Sequence, residues 1–333
     1  MRLLSRLGFR AVPIAAAVAF LATYPLYRDN VEKLQFTTVG IYLIAILGLN
    51  ILTGYSGQIS LGHGAFMGIG AYTTAILVER TSLSDVATIP LAGLVAGAIG
   101  FLFGFPALRL HGVYLALATF GAAVAFIQLV QSTHYASFTG GGTGLYYGLP
   151  KNPYYLTWGI AAGLFVGAWL LVHSKLGRSL TAVRDAPIAA VSSGVNLALA
   201  KTIAFGIASA YAGVAGSLLA IRLGSVNPNS FPVTLSILLL TGAALGGLGS
   251  LQGVIFGALF IQFAPDFAIQ HVSKTAPEVA YGLILLIVLF LMPGGAGELI
   301  ARINRLLKKA LEPLYSRSAR RAEAVATSRR SDT

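Results

Sequence analysis

Long apolar runs separated by short clusters of charge, glycine and proline dominate the chain. A bilayer core about 30 Å thick takes roughly 20 helical residues per crossing. Runs of that scale predict about ten spans, at 11–27, 36–53, 59–78, 87–105, 112–131, 156–173, 199–221, 232–247, 251–270 and 277–293. The runs are continuous, as in IPLAGLVAGAIGFLFGF (89–105), and do not alternate as barrel strands of ~10 residues would. The pattern therefore predicts an all-α, polytopic transmembrane helical bundle. The first run follows Arg2, Arg6 and Arg10, as a signal peptide would, but it ends at Tyr24, Pro25 and Tyr27 without a small-residue cleavage site. It reads as a retained first helix.

Two segments outside the spans exceed what a connection needs. Residues 132–155, STHYASFTGGGTGLYYGLPKNPYY, are rich in Gly, Tyr and Pro, as an ordered cap or docking surface would be. Residues 174–198, SKLGRSLTAVRDAPIAAVSSGVNLA, are too polar to span and call for a partner. After Met292, Leu299, Ile303, Leu306, Leu307 and Leu314 recur near helical spacing among Arg302, Arg305, Lys308 and Lys309. That pattern suits an interfacial helix held to lipid headgroups, followed by a solvated end. The organisation expected is a transmembrane domain over 1–298 that includes the 174–198 segment, and a basic tail over 299–333.

Composition confirms the class: 56% of the 333 residues are hydrophobic and 10% charged. The net charge of +12 is topological. With the N-terminus inside, Arg2, Arg6, Arg10, Arg109, Lys175, Arg178, Arg184, Lys201 and the basic tail all fall inside. Arg28, Lys33, Arg80, Lys151, Arg222 and Lys274 fall outside. The excess on one side places both termini in the cytoplasm, and nucleic-acid binding is not needed to explain the charge.

The absence of cysteine excludes disulfides and thiolate chemistry. No Walker loop, HExxH or GxSxG occurs, and TGGGTG at 139–144 lacks the lysine of a phosphate cradle. Five histidines are scattered without metal-ligand spacing, so neither metal nor cofactor is expected. Asp266 is the one acid well inside a run. It is either functional at depth or near a span's outer end, as neighbouring Pro265 and His271 suggest. Small-residue pairs, Gly64/Gly68, Gly93/Gly97, Gly163/Gly167, Gly242/Gly246 and then Gly249, Gly253 and Gly257, predict close helix packing, with the last series equally suited to a subunit interface.

The stretch GYSGQISLGHGAFMGIGAY (54–72) places glycines and polar residues where a helix should cross. Gly54, Gly57, Gly62 and Gly64 would let the chain break and turn, with Ser56, Gln58, Ser60 and His63 bonding the freed backbone. A helix starting near Ser60 would offer its positive end to an anion. Irregular backbone at membrane depth is tolerated only when buried in protein or lining a water-filled cavity. The two alternatives are thus a packed hairpin and a pathway lining that includes Tyr55. LLLTGAALGGLGSLQGVIFGALF (238–260) shares the texture and hints at an internal repeat.

Together, GLNILTGYSGQISLGHGAFMGIGAYT (48–73), GVYLALATFG (112–121), TGGGTGL (139–145), GRSLTAVRDAPIAA (177–190) and LTGAALGGLGSLQGVIFGA (240–258) resemble the LivM-type permeases of branched-chain amino acid ABC importers. The resemblance covers roughly 36–295. It implies a second, LivH-like permease, two cytoplasmic ATPase subunits and a periplasmic binding protein, with ATP hydrolysis on other chains. It implies that 174–198 couples to an ATPase, with Arg178, Arg184, Asp185, Ala189, Ala190, Gly194 and Asn196 as contact or geometry positions. It also implies that Thr139, Gly140, Gly141, Gly142, Thr143 and Gly144 face the binding protein. The chain departs from the family pattern at Val191 and Ser192, and at Asn50, where an acid is usual. Branched-chain or other aliphatic amino acids are the expected cargo, with urea, short amides or aromatic carboxylates as the alternative. A secondary transporter or channel would leave 174–198 idle, and an intramembrane enzyme lacks paired catalytic residues.

Overall fold

The computed structural model describes residues 23, 29–81, 83–108, 110, 112–148, 151–271, 282–283, 285–288, 290 and 294–299. The expected spans at 11–27 and 277–293 and the basic tail lie essentially outside the described residues, so the count of ten is carried by the sequence alone.

The described chain is an all-α bundle. Helix α1 (Asn30–Leu49) runs on into a wider π-type turn, Asn50–Tyr55. After an irregular stretch come α2 (His63–Arg80), α3 (Asp85–Ala107) and α4 (Val113–Gln131). A cap of short turns leads through strand β1 (Leu145–Tyr146) to α5 (Tyr154–His173). Two shorter helices, α6 (Lys175–Asp185) and α7 (Pro187–Ser192), precede the long α8 (Leu197–Leu223). Strand β2 (Ser225–Val226), antiparallel to β1, α9 (Val233–Gly246) and α10 (Gly253–His271) follow. Among the described residues six helical stretches, α1 with its π turn, α3, α4, α5, α8 and the Pro228–Gly246 stretch that contains α9, are long and apolar enough to cross a membrane.

Helices α1 and α8 form the centre. Their most apolar windows are 89% and 78% buried, against 17% for α5, whose outer face is left for lipid or another chain. Helix α8 packs on α1, α2 and α3, and α9 packs on α10. Lipid tails are as apolar as leucine, so close packing rather than water exclusion must hold such helices together. Small residues provide it. A Cβ added at Gly216 of α8 would lie 1.8 Å from the Met67 carbonyl oxygen of α2, and one at Gly70 of α2 would lie 2.1 Å from that of Gly213. Gly97 of α3 likewise faces Ala210 and Gly206 of α8.

The glycine series 242–257 is an internal seam. A Cβ at Gly253 would fall 1.6 Å from the Gly246 carbonyl and one at Gly257 2.1 Å from that of Gly242, so α9 and α10 consume the motif themselves. Gly163, by contrast, meets nothing within 4 Å among the described residues, while a Cβ on Gly167 would reach only the Tyr211 hydroxyl of α8 at 3.4 Å.

The two ends of the bundle separate cleanly. The π turn, α6 and the loop after α9 meet at one end through Gly54, Arg184 and Gly249. The start of α1, the end of α2, the cap and the β1–β2 pair meet at the other, through contacts such as Lys151 with Asp85 and Arg80 with the Ser137 carbonyl. Lys175, Arg178 and Arg184 thus share an end opposite to Lys33, Arg80, Lys151 and Arg222, as the alternation of spans requires.

Candidate functional site: two membrane breaks and the segment beneath them

The break at 54–64 is narrower than the glycines suggested. The helix does not stop at Gly54 but widens into the π turn. Backbone then leaves the helix at Ser56, turns at Gly57 with φ +72°, and resumes a helix at His63, with Gly62 as its N-cap. Gly54 and Gly64 serve close approach instead. A Cβ on Gly54 would sit 2.3 Å from the Gly249 nitrogen, and one on Gly64 would sit 2.9 Å from Ser236 Oγ.

A π turn leaves backbone groups without their usual partners, and here polar side chains take them up. Thr53 Oγ1 donates to the Gln58 carbonyl at 3.0 Å, and the Gln58 amide donates to the Leu52 carbonyl at 3.1 Å. Gln58 Nε2 donates to Ser56 Oγ at 2.6 Å and to the Lys201 carbonyl at 3.2 Å. The Leu61 amide donates to Thr119 Oγ1 at 2.9 Å, and the Gly62 amide to Ser60 Oγ at 3.3 Å. His63 Nε2 lies 2.9 Å from the Ala45 carbonyl. Ser56, Gln58, Ser60 and His63 are all buried, while Gly57 and Ile59 are exposed and Tyr55 is half-buried.

The start of α2 is similarly occupied: its Gly64 amide donates to Ser236 Oγ at 2.9 Å and the Ala65 amide to the Gly62 carbonyl. In this structure the N-terminus expected to receive an anion is closed by the protein itself.

The second break, between α9 and α10, turns at Gly247 (φ +96°) and Gly249 (φ +82°). It lies against the first. Asn50, fully buried in the π turn, donates through Nδ2 to the Ser250 carbonyl at 3.1 Å and accepts from the Gly249 amide at 2.8 Å through Oδ1. The sequence likeness between the two stretches therefore corresponds to two helix–break–helix units meeting tip to tip. An amide side chain suits this joint, because it offers one donor and one acceptor to a carbonyl and an N–H. A carboxylate, when ionised, would accept only.

Sequence reading did not single out Thr119, Ser236 and Ser250, and treated Asn50 only as a departure. Their signal was each one's polarity beside or within an apolar run, since a polar group at depth must find a partner.

The segment 174–198 forms α6 and α7. Ser174 caps α6, accepting from the amides of Leu176 and Gly177. Leu180 and Val183 are buried against the bundle. Arg178 bonds back to the His173 carbonyl at 3.1 Å. Gly194, at φ +83° in open space, is needed for its backbone, and Asn196 caps α8 by accepting from the Leu199 amide at 3.0 Å. Ala190 is buried, whereas Ala189 faces out beside Ile188 and Val191, which are 85% and 55% exposed. The exposed apolar tip at Ile188 was not foreseen. Arg184 pairs with Asp185 at 2.7 Å and donates to the Gly54 carbonyl, so excursion and break, two separate expectations, touch. The hydrogen bond from Arg184 holds the Asp185 carboxyl below its ordinary pKa. The ion pair therefore persists above the usual carboxylate range and is lost as pH falls through the lowered value.

At the other end, the 139–144 loop is ordered by its own bonds. Thr139 Oγ1 donates to the Val130 carbonyl at 2.8 Å and accepts from the Gly141 amide, and Thr143 Oγ1 donates to the Gly140 carbonyl at 2.8 Å. A Cβ on Gly144 would lie 2.1 Å from the Val226 carbonyl oxygen. Thr139 and Gly141 are buried, while Gly142 and Thr143 face out with Tyr135, Phe138 and Tyr146. Asp266 accepts from Gln35 Nε2 at 3.1 Å, early in α1 and hence at this end, far from both breaks. An open groove of about 720 Å³ runs along α9, where Thr234, Ile237, Leu238 and Thr241 line it beside Asn229 and Ser230.

Residues 34–292 match the family model described as branched-chain amino acid transport system / permease component. The chain belongs to that family. It is 36% identical over 284 residues to the high-affinity branched-chain amino acid transport system permease protein LivM of Salmonella typhimurium, covering 74% of this chain and 64% of that protein. Against LivM of Escherichia coli K12 the identity is 35%, covering 76% and 66%. The chain thus spans just under two thirds of the length of these relatives. LivH of Escherichia coli K12 is 24% identical, covering 76% of this chain and 90% of its own. No solved structure matches the chain.

Proposed function

We propose that this chain is the membrane-spanning permease subunit of an ATP-driven importer in the inner membrane, with branched-chain or other aliphatic amino acids as cargo. The observation that carries the mechanism is the α6–α7 pair: it presents an exposed apolar tip and is bonded, through Arg184, to the break at Gly54. A segment that both protrudes and is bonded to a break between membrane helices is suited to transmit a rigid-body push. Amino acid is handed over by a periplasmic binding protein at the end bearing Gly142, Thr143 and the exposed tyrosines. It passes beside the Tyr55–Gly64 break, between this chain and a LivH-like permease. Two cytoplasmic ATPase subunits, which hydrolyse the ATP, dock on α7. The cargo reading rests on the family and on the names of its relatives.

Uptake of labelled leucine at submicromolar concentration, with and without the gene and with urea and benzoate as parallel labels, tests this. Leucine uptake lost on deletion and restored by the gene is the expected result. Loss of urea or benzoate uptake alone moves the cargo to the alternative. A second expectation concerns the tip. Ile188→Asp, at an exposed position, leaves insertion intact but lowers ATPase recovery with the tagged chain by at least about tenfold, as losing a desolvated apolar anchor does at an interface. Full recovery removes α7 from the docking site.

A further inference from the structure

Within α6–α7, one charged side chain turns back from the excursion onto the bundle. Arg184 Nη1 donates to the Gly54 carbonyl and lies 3.4 Å from where a Cβ on Gly249 would be. A Cβ on Gly57 would meet Arg184 Cγ at 2.9 Å. The guanidinium therefore bonds the first break and reaches van der Waals distance of the second, while glycine at 57 leaves room for the arginine's aliphatic stem. Asp185 fixes its orientation through Nε, and Asn50 separately ties one break to the other. The Gly54 carbonyl belongs to a π turn, so it is an acceptor that the regular i to i+4 ladder does not reserve. An arginine holds Asp185 and that carbonyl from two separate nitrogens of a rigid fork, Nε and Nη1, a spread that the single nitrogen of a lysine reproduces only in part.

We propose that Arg184 is an internal strut, a positioning residue and not a partner contact, that makes α6 and the two membrane breaks move as one body. A displacement of α7 is then delivered to the 56–62 and 247–252 loops together. The coupling role rests on the reading that an ATPase docks on α7; the strut itself does not.

The test separates the two. In the full chain in lipid nanodiscs, Arg184→Gln is expected to speed amide exchange in both 56–61 and 247–251 by about tenfold or more, the loss of one charge-assisted hydrogen bond. Exchange in α3 and α8 stays unchanged, and Arg184→Lys recovers part of the protection. In the assembled transporter, the same Arg184→Gln substitution lowers transport by about tenfold while ATP hydrolysis stays within about twofold, since a lost coupling contact spares the hydrolytic chains.

Unchanged exchange in both loops, or a response in 56–61 alone, overturns the strut. So do transport and hydrolysis falling together with wild-type exchange, which would make Arg184 a docking contact. If the wild-type assembly hydrolyses no ATP, the importer reading falls, and the exchange arm still decides the strut.

Discussion

Gly216→Leu is expected to abolish the folded bundle, while Gly163→Leu leaves it intact. Both glycines lie in apolar helices, and each could be read as a packing residue. The Gly216 Cβ position is 1.8 Å from the Met67 carbonyl oxygen, with the Met67 carbonyl carbon at 2.6 Å and Cα at 2.9 Å. A backbone cannot swing aside as a side chain does, so α8 and α2 must separate. That breaks the α2–α8 contact, and it loses the buried Thr74–Ser217 hydroxyl pair at 2.6 Å one residue further on.

The cost exceeds the ~1–3 kcal/mol usual for overpacking, because no rotamer relieves it. It consumes a large part of the ~5–15 kcal/mol that typically separates folded from unfolded protein. Gly163 has open space around it on α5, and leucine there gains the better helix propensity, worth up to about 1 kcal/mol. Size-exclusion profiles and trypsin resistance after detergent extraction check the pair. A monodisperse Gly216→Leu protein would show that α2 and α8 do not meet as described.

Asn50→Leu is the second large effect, and Asn50→Asp gives it a pH signature. Leucine at 50 removes the partner of the Ser250 carbonyl and the Gly249 amide, two partly buried groups, at about 1 kcal/mol for each. Aspartate keeps the acceptor for Gly249 but turns a second oxygen toward the Ser250 carbonyl. Only the protonated carboxyl can donate there, and burial also disfavours its charge.

Its stabilising bond to the Ser250 carbonyl is therefore present at acid pH, where the carboxyl carries its proton, and is lost as pH rises and the proton leaves. Melting temperatures in detergent should rank wild type above Asn50→Asp and Asn50→Asp above Asn50→Leu at acid pH, with the two variants converging at neutral pH. An Asn50→Asp melting curve parallel to wild type at all pH values would mean that the joint between the breaks is not held by this side chain.

Much of the architecture is legible without coordinates. Helix ranges for α3, α4, α5, α8, α9 and α10 lie within a few residues of the apolar runs. The reason is that a membrane helix must be apolar over about 20 residues whatever it packs against. The existence of a break near Gly54 is legible for the same reason, since Gly, Ser and Gln are costly in a lipid-facing helix. So is a helical, non-spanning excursion at 174–198. The family, too, is readable, because its motifs run in order along most of the chain.

What the tertiary structure decided is who meets whom. Asn50 lies some two hundred positions from Ser250, and Arg184 far from Gly54, and no periodicity reports a bond across such separations. The role of each glycine is equally a matter of neighbours. Gly163 and Gly216 look alike in the sequence, and only the distance to the next backbone separates the idle one from the indispensable one. Local sequence sets the length and polarity of each helix, because the bilayer acts on every residue independently. The π turn, the paired breaks and the reach of Arg184 exist only once the helices are packed, since each is a backbone group finding its one available partner.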